Sequence, residues 1–134
     1  VADNCGVCDA NATNDCTADC NGVWGVLEHI KLLGECYNIE EATDLISVNK
    51  EHTGSIPEEI GSLTNLTTLH LGQNRLSGKI PLQIGNLTNL TYLNLADNQL
   101  IGDIPQSVCD LIENNNMTIY NITNGNNLTN PCSE

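Results

Sequence analysis

A 24-residue repeat runs through the middle of this sequence. Residues 60–81 align without a gap on residues 84–105, and the two copies share most of their Leu, Asn, Gly and Pro positions. A degraded copy lies one period upstream, where Ser47, Lys50 and His52 replace apolar or Asn positions. A repeat of this length is one structural unit that cannot bury its apolar face alone, so successive copies must stack. The sequence therefore predicts a solenoid with an atypical terminal repeat.

The order of residues inside one repeat predicts a short strand and the turn that follows it. Leu69 and Leu71 alternate with other residues, which is typical of a strand with one buried face. One such strand per coil builds a parallel ladder through the stack. Asn74 follows the strand, and its amide can bond the open backbone groups of the turn and of the neighbouring coil.

The turn carries a family signature. Asn74-Arg-Leu-Ser-Gly-Lys-Ile-Pro81 matches the plant-type leucine-rich-repeat consensus in full, and residues 36–107 resemble that family, with one degenerate and two regular repeats. The resemblance implies a leucine-rich-repeat solenoid of the α/β class, made mostly of short parallel strands with loops and 3-10 turns. It also implies a curved rod with a parallel sheet on its inner face, and binding as the usual role.

Segments that contain cysteine are expected to cap both ends of the stack. Residues 1–25 form a Cys/Asp-rich segment that resembles the short Asp-Asn-Cys-Gly-Val-Cys-Asp modules beside repeats in extracellular proteins of microbes and protists. Residues 26–35 have apolar residues at helical spacing, which predicts a short helix over the first coil. Residues 108–134 are predicted to close the other end, with a last strand at either residues 117–119 or residues 120–122.

The seven cysteines indicate an oxidising compartment. Cys109 and Cys132 lie far from the others, so we predict that they bond to each other and clip the C-terminal cap. The other five are Cys5, Cys8, Cys16, Cys20 and Cys36. These five cannot all pair with one another, so at least one is unpaired, metal-bound or bonded to another chain. A Cys20–Cys36 bond is predicted to staple the N-terminal cap.

Seven Asn-x-Thr sequons point to the same compartment. They begin at Asn11, Asn65, Asn86, Asn89, Asn116, Asn121 and Asn127. We predict a secreted, extracellular glycoprotein with N-linked glycans at several of these sites. Asn86 and Asn89 lie too close together for both to be fully occupied. The alternative for Asn65 and Asn89 is that the repeated Leu-Thr-Asn-Leu-Thr segment alone explains them.

The charge balance excludes several classes of partner. Acidic residues outnumber Lys and Arg by 17 to 4, a formal charge of -13. Four cations do not make the basic patch that nucleic acid requires, and anionic membrane surfaces are disfavoured for the same reason. No apolar run approaches the roughly 18 residues of a membrane span. The sequence has neither an initiator Met nor a signal-peptide segment, so we expect a mature or excised chain.

Signals for metal binding and catalysis are weak. The cysteines at positions 5, 8, 16 and 20 could hold zinc, but disulfides are favoured. Oxygen ligands at Asp3, Asp9, Asp15 and Asp19 suggest at most weak calcium binding, and an EF-hand loop is excluded. The sequence has no Gly-x-Ser-x-Gly, phosphate-loop or His-Glu-x-x-His motif. We therefore predict no cofactor and no enzymatic activity.

The outward positions of the predicted strands are the candidate contact residues. They are Ile46, Thr68, His70, Tyr92 and Asn94. Tyr92 and His70 are the best anchors, because a rigid ring with a polar tip makes contacts at low entropy cost. The alternatives are that Tyr92 packs against Thr68 and the cap, and that His70 is a solvated side chain.

Two functions fit this pattern. The first is self-association as a structural component of an extracellular assembly or fibre, since the odd number of cysteines leaves a thiol for an interchain bond. The second is a ligand-binding module that uses the inner face for a protein or peptide. A face of two regular coils is small beside the roughly 800 Å² that each partner buries in a standard interface. The sequence therefore favours self-association.

Overall fold

Short strands and helical turns alternate along residues 29–132, the part of the chain that the computed structural model describes. The strands are β1 His29–Leu32, β2 Glu35–Asn38, β3 Asp44–Ile46, β4 Thr53–Gly54, β5 Thr68–His70, β6 Arg75–Gly78, β7 Tyr92–Asn94, β8 Gln99–Asp103 and β9 Asn127–Thr129. The helices are two 3-10 helices at Glu58–Ser62 and Leu82–Asn86, then α1 at Gln106–Asn114 and α2 at Tyr120–Thr123. The predicted module at residues 1–25 lies outside the described residues.

Two parallel sheets run along the stack. β3, β5 and β7 pair in that order, and β4, β6, β8 and β9 form the second sheet. Leu45 pairs with Leu69 and Leu69 with Leu93, so successive coils are in register at the 24-residue period. On a third side the two 3-10 helices pack on each other, and the second packs on α1. The predicted leucine-rich-repeat solenoid is confirmed.

The interior of each coil is apolar and closed to solvent. In one coil the fully buried leucines are Leu63, Leu66, Leu69, Leu71 and Leu76. In the next coil they are Leu87, Leu90, Leu93, Leu95 and Leu100, none more than 2% exposed. Full burial of one such side chain contributes roughly 1.5–3 kcal/mol, so this interior is the main stabilising element of the fold.

A buried asparagine pairs the backbone groups that each turn leaves open. Asn74 Nδ2 donates to the Ser47 carbonyl of the previous coil at 2.7 Å and to the Leu71 carbonyl of its own coil at 3.0 Å. Its Oδ1 accepts the N–H groups of Lys50 and His52 at 3.0 and 3.2 Å. One side chain therefore joins two coils, as the sequence predicts.

The same bonds recur in the following coils. Asn98 Nδ2 donates to the Leu71 carbonyl at 2.9 Å, and its Oδ1 accepts the Leu76 N–H at 3.0 Å. Asn126 continues the pattern in the cap, where its Nδ2 donates to the Leu95 carbonyl at 2.8 Å. It lies 28 residues after Asn98, so a search at the 24-residue period does not find it. We call these side chains the asparagine ladder: Asn74, Asn98 and Asn126.

In the degraded first coil, the polar residues that depart from the repeat have hydrogen-bond partners. Ser47 is buried where later coils have leucine, and its Oγ lies 2.7 Å from His52 Nε2. Lys50 stands where later coils have the ladder asparagine, and Asn74 of the next coil bonds its N–H. The first coil therefore stacks in register although its sequence departs from the repeat.

The strands β1 and β2 form a hairpin at the start of the described stack. The prediction of a helix over residues 26–35 is therefore wrong for the described residues of that range. Ile30 and Leu32 are buried on either side of an exposed lysine, which is the period-two alternation of a strand. Leu33 and Gly34 both have positive φ, as a two-residue type I′ turn requires. The helix prediction relied on the helical spacing of Ile30 and Leu33, but Leu33 belongs to this turn and not to the same element as Ile30.

The C-terminal cap forms one further coil, in which helices stand where the earlier coils have a 3-10 helix and an inner strand. α1 takes the place of a 3-10 helix, and α2 lies beside β7, where the sequence predicts a strand at residues 117–119 or 120–122. Both of these strand assignments are wrong. The edge of β7 needs no strand, because the carbonyls of Asn121 and Asn124 accept the N–H groups of Leu95 and Asp97, just after β7, at 2.8 and 2.9 Å.

Disulfides fasten the capping segments. The predicted Cys109–Cys132 bond is present and ties the end of the chain to α1. Cys36 in β2 is also disulfide-bonded. Its predicted partner, Cys20, lies outside the described residues, so the Cys20–Cys36 pairing stays a prediction.

Replacing a ladder residue tests the role of the ladder. Asn98→Ala leaves backbone groups unpaired inside the stack, and each such group costs about 1–3 kcal/mol. We expect the free energy of unfolding to fall by about 2–4 kcal/mol, as measured by urea denaturation. The matched control is Asn86→Ala, at an exposed position, which should stay within about 0.5 kcal/mol of the parent. Equal stability of the two variants would contradict this role.

Removing the C-terminal disulfide tests how the cap is held. In the chain-entropy model, the double variant Cys109→Ser/Cys132→Ser should lose about 3 kcal/mol of unfolding free energy for a loop of this length. The cysteines are 23 residues apart. Thermal and urea unfolding under oxidising conditions measure the loss. Unchanged stability would mean that the packing of α1 and β9 holds the cap without the bond.

Candidate binding face

The sheet β3–β5–β7 presents one row of leucines to the core and two rows of side chains to the outside. The middle residue of each strand is the buried leucine, so the first and third residues point away from the core. The register aligns the outward residues in two rows: Asp44, Thr68 and Tyr92, then Ile46, His70 and Asn94. All five predicted contact residues lie in these rows, which we call the inner face.

Three side chains of the inner face contact one another. The rings of His70 and Tyr92 are tilted by 54° with centroids 5.6 Å apart, a favourable aromatic geometry. Asn94 Nδ2 donates to Tyr92 Oη at 3.0 Å. Tyr92 nevertheless remains 39% exposed, so it is both held and accessible. The contacts hold the cluster in place before any ligand arrives.

His70 is held as a neutral hydrogen-bond acceptor. Its Nδ1 accepts the Gly72 N–H at 3.2 Å, which protonation of Nδ1 would abolish. Partial burial lowers the pKa of His70 below its usual value of 6.5. At neutral pH the ring therefore carries its proton on Nε2 and can donate one hydrogen bond to a ligand.

Small residues, Gly72 and Ala96, lie two positions beyond the rows after β5 and β7, and Val48 holds the same position after β3. A Cβ at Gly72 would lie 2.9 Å from His70 Cε1, so no larger residue fits there without moving the ring. Asn94 Oδ1 accepts the Ala96 N–H at 2.9 Å, in the same way that His70 accepts from Gly72. These bonds hold the ends of β5 and β7 in matching conformations.

The cap extends the inner face beyond β7, which sequence reasoning missed. α2 packs beside β7, and Tyr120 at its start is 63% exposed. Asn121 continues the row of Ile46, His70 and Asn94, because its carbonyl accepts the N–H that follows β7 as Asn94 does for β5. Asn121 lies 27 residues after Asn94, so the 24-residue period does not predict this alignment.

The β3 end of the inner face has one apolar and one acidic side chain, and the two rows contain no Lys or Arg. Ile46 is 61% exposed on β3, and Asp44 on the same strand accepts a hydrogen bond from Thr43 Oγ1 at 3.1 Å. An ion pair between Glu51 and Arg75 of β6, at 3.3 Å, joins two highly exposed side chains and is worth little. The face therefore offers apolar, aromatic, amide and carboxylate groups.

The calcium candidates at positions 3, 9, 15 and 19 and the sequon at Asn11 lie outside the described residues. Within residues 29–132, no group of three His, Cys, Asp or Glu side chains is placed to hold a metal ion. No helix in that part of the chain is long and apolar enough to cross a membrane.

Comparison with protein families and solved structures agrees with the geometry. A family model of leucine-rich repeats in two copies matches residues 64–108. No curated protein matches the chain at a significant level. Several solved structures do match, and three of them are crystal structures from Arabidopsis thaliana.

The first is a complex of BIR3 with SERK2, 34% identical, covering 69% of this chain and 46% of the matched chain, with a TM-score of 0.58. The second is the leucine-rich-repeat ectodomain of the receptor kinase SOBIR1, with 29% identity, coverage of 71% and 49%, and a TM-score of 0.58. The third is the ectodomain of the receptor kinase GASSHO1/SCHENGEN3, with 35% identity, coverage of 66% and 10%, and a TM-score of 0.51.

The chain spans about half or less of the length of the chains that it matches. The leucine-rich-repeat ectodomain is a non-enzymatic protein-interaction fold, which confirms the prediction that the chain is not an enzyme. Sequence identity and structure both place its repeats with the plant type.

The state of His70 is open to a direct test. Its lowered pKa means that the folded chain binds fewer protons than the unfolded chain below about pH 6.5, so this contribution to stability is lost as the pH falls through that range. NMR titration of the His70 ring should give a midpoint below 6.5. His70→Gln should remove this part of the acid destabilisation. A midpoint at or above 6.5 would contradict the assignment.

Proposed function

We propose a recognition role for this chain, which belongs to the plant-type leucine-rich-repeat family: it binds a short segment of a protein partner on the inner face. The observation that carries the proposal is the contact cluster of His70, Tyr92 and Asn94. It is aligned by the strands, held by its own contacts and still open to solvent. Aromatic side chains held in this way are typical anchors of binding sites.

The small area of the inner face limits the size of the ligand that it can bind alone. Three strands at about 4.8 Å spacing and three residues per strand cover roughly 10 Å by 10 Å. A standard interface buries roughly 800 Å² on each partner, several times more. The ligand is therefore a short peptide segment, or a larger partner that also contacts the cap and the turns.

The negative charge of the chain also limits the charge of the ligand. The rows of the inner face contain Asp44 and no Lys or Arg, and the whole chain carries a formal charge of -13. Electrostatic attraction favours a ligand with Lys or Arg over an acidic one. Ile46 offers an apolar contact at the β3 end, and Tyr92 offers an aromatic contact at the cap end.

Matched structures give this proposal a precedent. One of them is a BIR3–SERK2 complex, and another is a receptor ectodomain in complex with CASPARIAN STRIP INTEGRITY FACTOR 2. A plant peptide hormone receptor in complex with RGF2 also matches, at 33% identity and a TM-score of 0.54. By analogy with these ectodomains and from its cysteines and sequons, we propose that this chain is secreted and extracellular, with N-linked glycans.

Peptide selection tests the binding role. A displayed library of linear 12-residue peptides would be selected against the full chain, and the affinity of the best peptide measured by calorimetry. Tyr92→Ala and His70→Ala should each weaken binding about tenfold or more, because anchors of this kind contribute over 1 kcal/mol. Leu82→Ala is the matched control, since Leu82 is 60% exposed but lies on a 3-10 helix.

The composition of the selected peptides and their binding to the variants test the proposal. Enrichment of Lys and Arg, with loss of binding in the two inner-face variants and no loss in Leu82→Ala, supports it. Selected peptides that bind all three variants as well as the parent would place the binding surface elsewhere and overturn the proposal.

Self-association is the second candidate, and the odd number of cysteines favours it. Seven cysteines cannot all pair within one chain, so an interchain disulfide is available. Cys36, Cys109 and Cys132 are bonded, so a cysteine for an interchain disulfide would have to come from Cys5, Cys8, Cys16 or Cys20. A disulfide-linked assembly or fibre would then be built through the N-terminal segment.

Solution mass separates the two candidates. Light scattering after size exclusion, without reductant, should give a monomer if recognition is the main role. A large species that a variant lacking residues 1–20 fails to form would support assembly through that segment. A large species that persists in the truncated variant would show that the cysteine-rich segment is not the joint.

A further inference from the structure

A second set of asparagines, on the surface, ties each coil to the coil before it. Asn65 Nδ2 donates to the Glu40 carbonyl at 2.7 Å, and Asn89 Nδ2 donates to the Thr64 carbonyl at 3.0 Å. Asn115 in the cap bonds the coil before it in the same way, at 3.0 and 2.6 Å. We call these side chains the clamp asparagines: Asn65, Asn89 and Asn115.

Two of the clamp asparagines begin sequons, and the threonines of those sequons are engaged as well. Thr67 Oγ1 donates to the Thr43 carbonyl at 3.1 Å, and Thr91 Oγ1 donates to the Thr67 carbonyl at 3.2 Å. Asn115 makes the same bonds without belonging to a sequon. Coil stacking therefore accounts for the Asn and the Thr of these two sequons, without any glycan.

The sequon at Asn86 is different. Asn86 is exposed at the end of its 3-10 helix, and its side chain makes no hydrogen bond within residues 29–132. Thr88 is also exposed. The equivalent residue one repeat earlier is Ser62, so stacking does not require an amide at this position. The amide of Asn86 is thus available for modification.

We propose that Asn86 is the N-glycan acceptor of the repeat region, while Asn65 and Asn89 stay unmodified as clamps. Transfer forms a bond between Asn86 Nδ2 and C1 of the donor sugar and breaks the bond from C1 to the oxygen of a lipid pyrophosphate. The lipid pyrophosphate leaves, and one amide proton passes to a base. At Asn89 the same step would replace an N–H on the nitrogen that holds the neighbouring coil and would place a sugar ring against that coil.

The glycan at Asn86 leaves the inner face free. The 3-10 helix Leu82–Asn86 packs between Glu58–Ser62 and α1, whereas the inner face is the sheet β3–β5–β7. A glycan on the helical side would keep other molecules away from that side. This proposal is independent of what the inner face binds.

Occupancy mapping tests the assignment. The full chain, secreted from a eukaryotic host behind a heterologous signal peptide, would be digested and treated with an amidase that converts each glycosylated Asn to Asp. We expect conversion at Asn86 and none at Asn65 or Asn89. A bare Asn86, or a glycan on either clamp asparagine, would overturn the proposal.

A pair of threonine variants distinguishes the clamp from simple competition between close sequons. Thr88→Ala destroys the Asn86 sequon without changing Asn86, and Thr91→Ala destroys the Asn89 sequon. We expect the mass of one glycan to be lost in Thr88→Ala and none in Thr91→Ala. Asn89 should stay bare in secreted Thr88→Ala. A glycan that moves to Asn89 in this variant would show that proximity, not the clamp, keeps Asn89 bare.

The clamp is also tested without glycans, in protein made in bacteria. Asn89→Ala should lower the melting temperature by about 4 °C or more, because one lost hydrogen bond of ordinary strength shifts a domain of this size by that amount. Asn86→Ala is the control and should leave the melting temperature unchanged. Equal melting temperatures would overturn the clamp role.

Discussion

The stack depends on asparagine amides that pair backbone groups which no regular element reaches. The turn after each inner strand leaves carbonyl and N–H groups open in an apolar interior, where each unpaired group would cost about 1–3 kcal/mol. Asn74, Asn98 and Asn126 bond these groups on their own coil and on the coil before it. Leucine burial supplies most of the stabilisation, but the ladder fixes how one coil sits on the next, and so it fixes the register of the inner face.

Repetition explains which parts of the fold were predictable. The strands β3, β5 and β7 and their register follow from periodicity, because similar sequences in neighbouring coils pack in the same way, and the disulfide Cys109–Cys132 follows from cysteine position. The ends have no such neighbour to repeat. Leu33-Gly34 makes a hairpin turn where helical spacing predicts a helix, and α2 satisfies the edge of β7 where a strand was expected.

The candidate site likewise has features that the sequence predicts and features that it does not. Alternation along the strands predicts from the sequence alone that Ile46, His70 and Asn94 lie in one row, as they do. The contacts between His70, Tyr92 and Asn94 depend on side-chain conformation, which the sequence does not specify. Asn121 could not be assigned to the row of Asn94 from the sequence, because the cap departs from the repeat length. A repeat therefore predicts where contact residues lie but not how they are held.

Hydrogen exchange at the ladder is the most direct test of this account. The N–H groups of Leu76 and Leu100 donate to Asn98 Oδ1 and Asn126 Oδ1, respectively. If the ladder holds the stack, these two amides exchange as slowly as the sheet amide of Leu71, which bonds the Asn94 carbonyl. Exchange of Leu76 and Leu100 at the rate of exposed turn amides, while Leu71 stays protected, would contradict it.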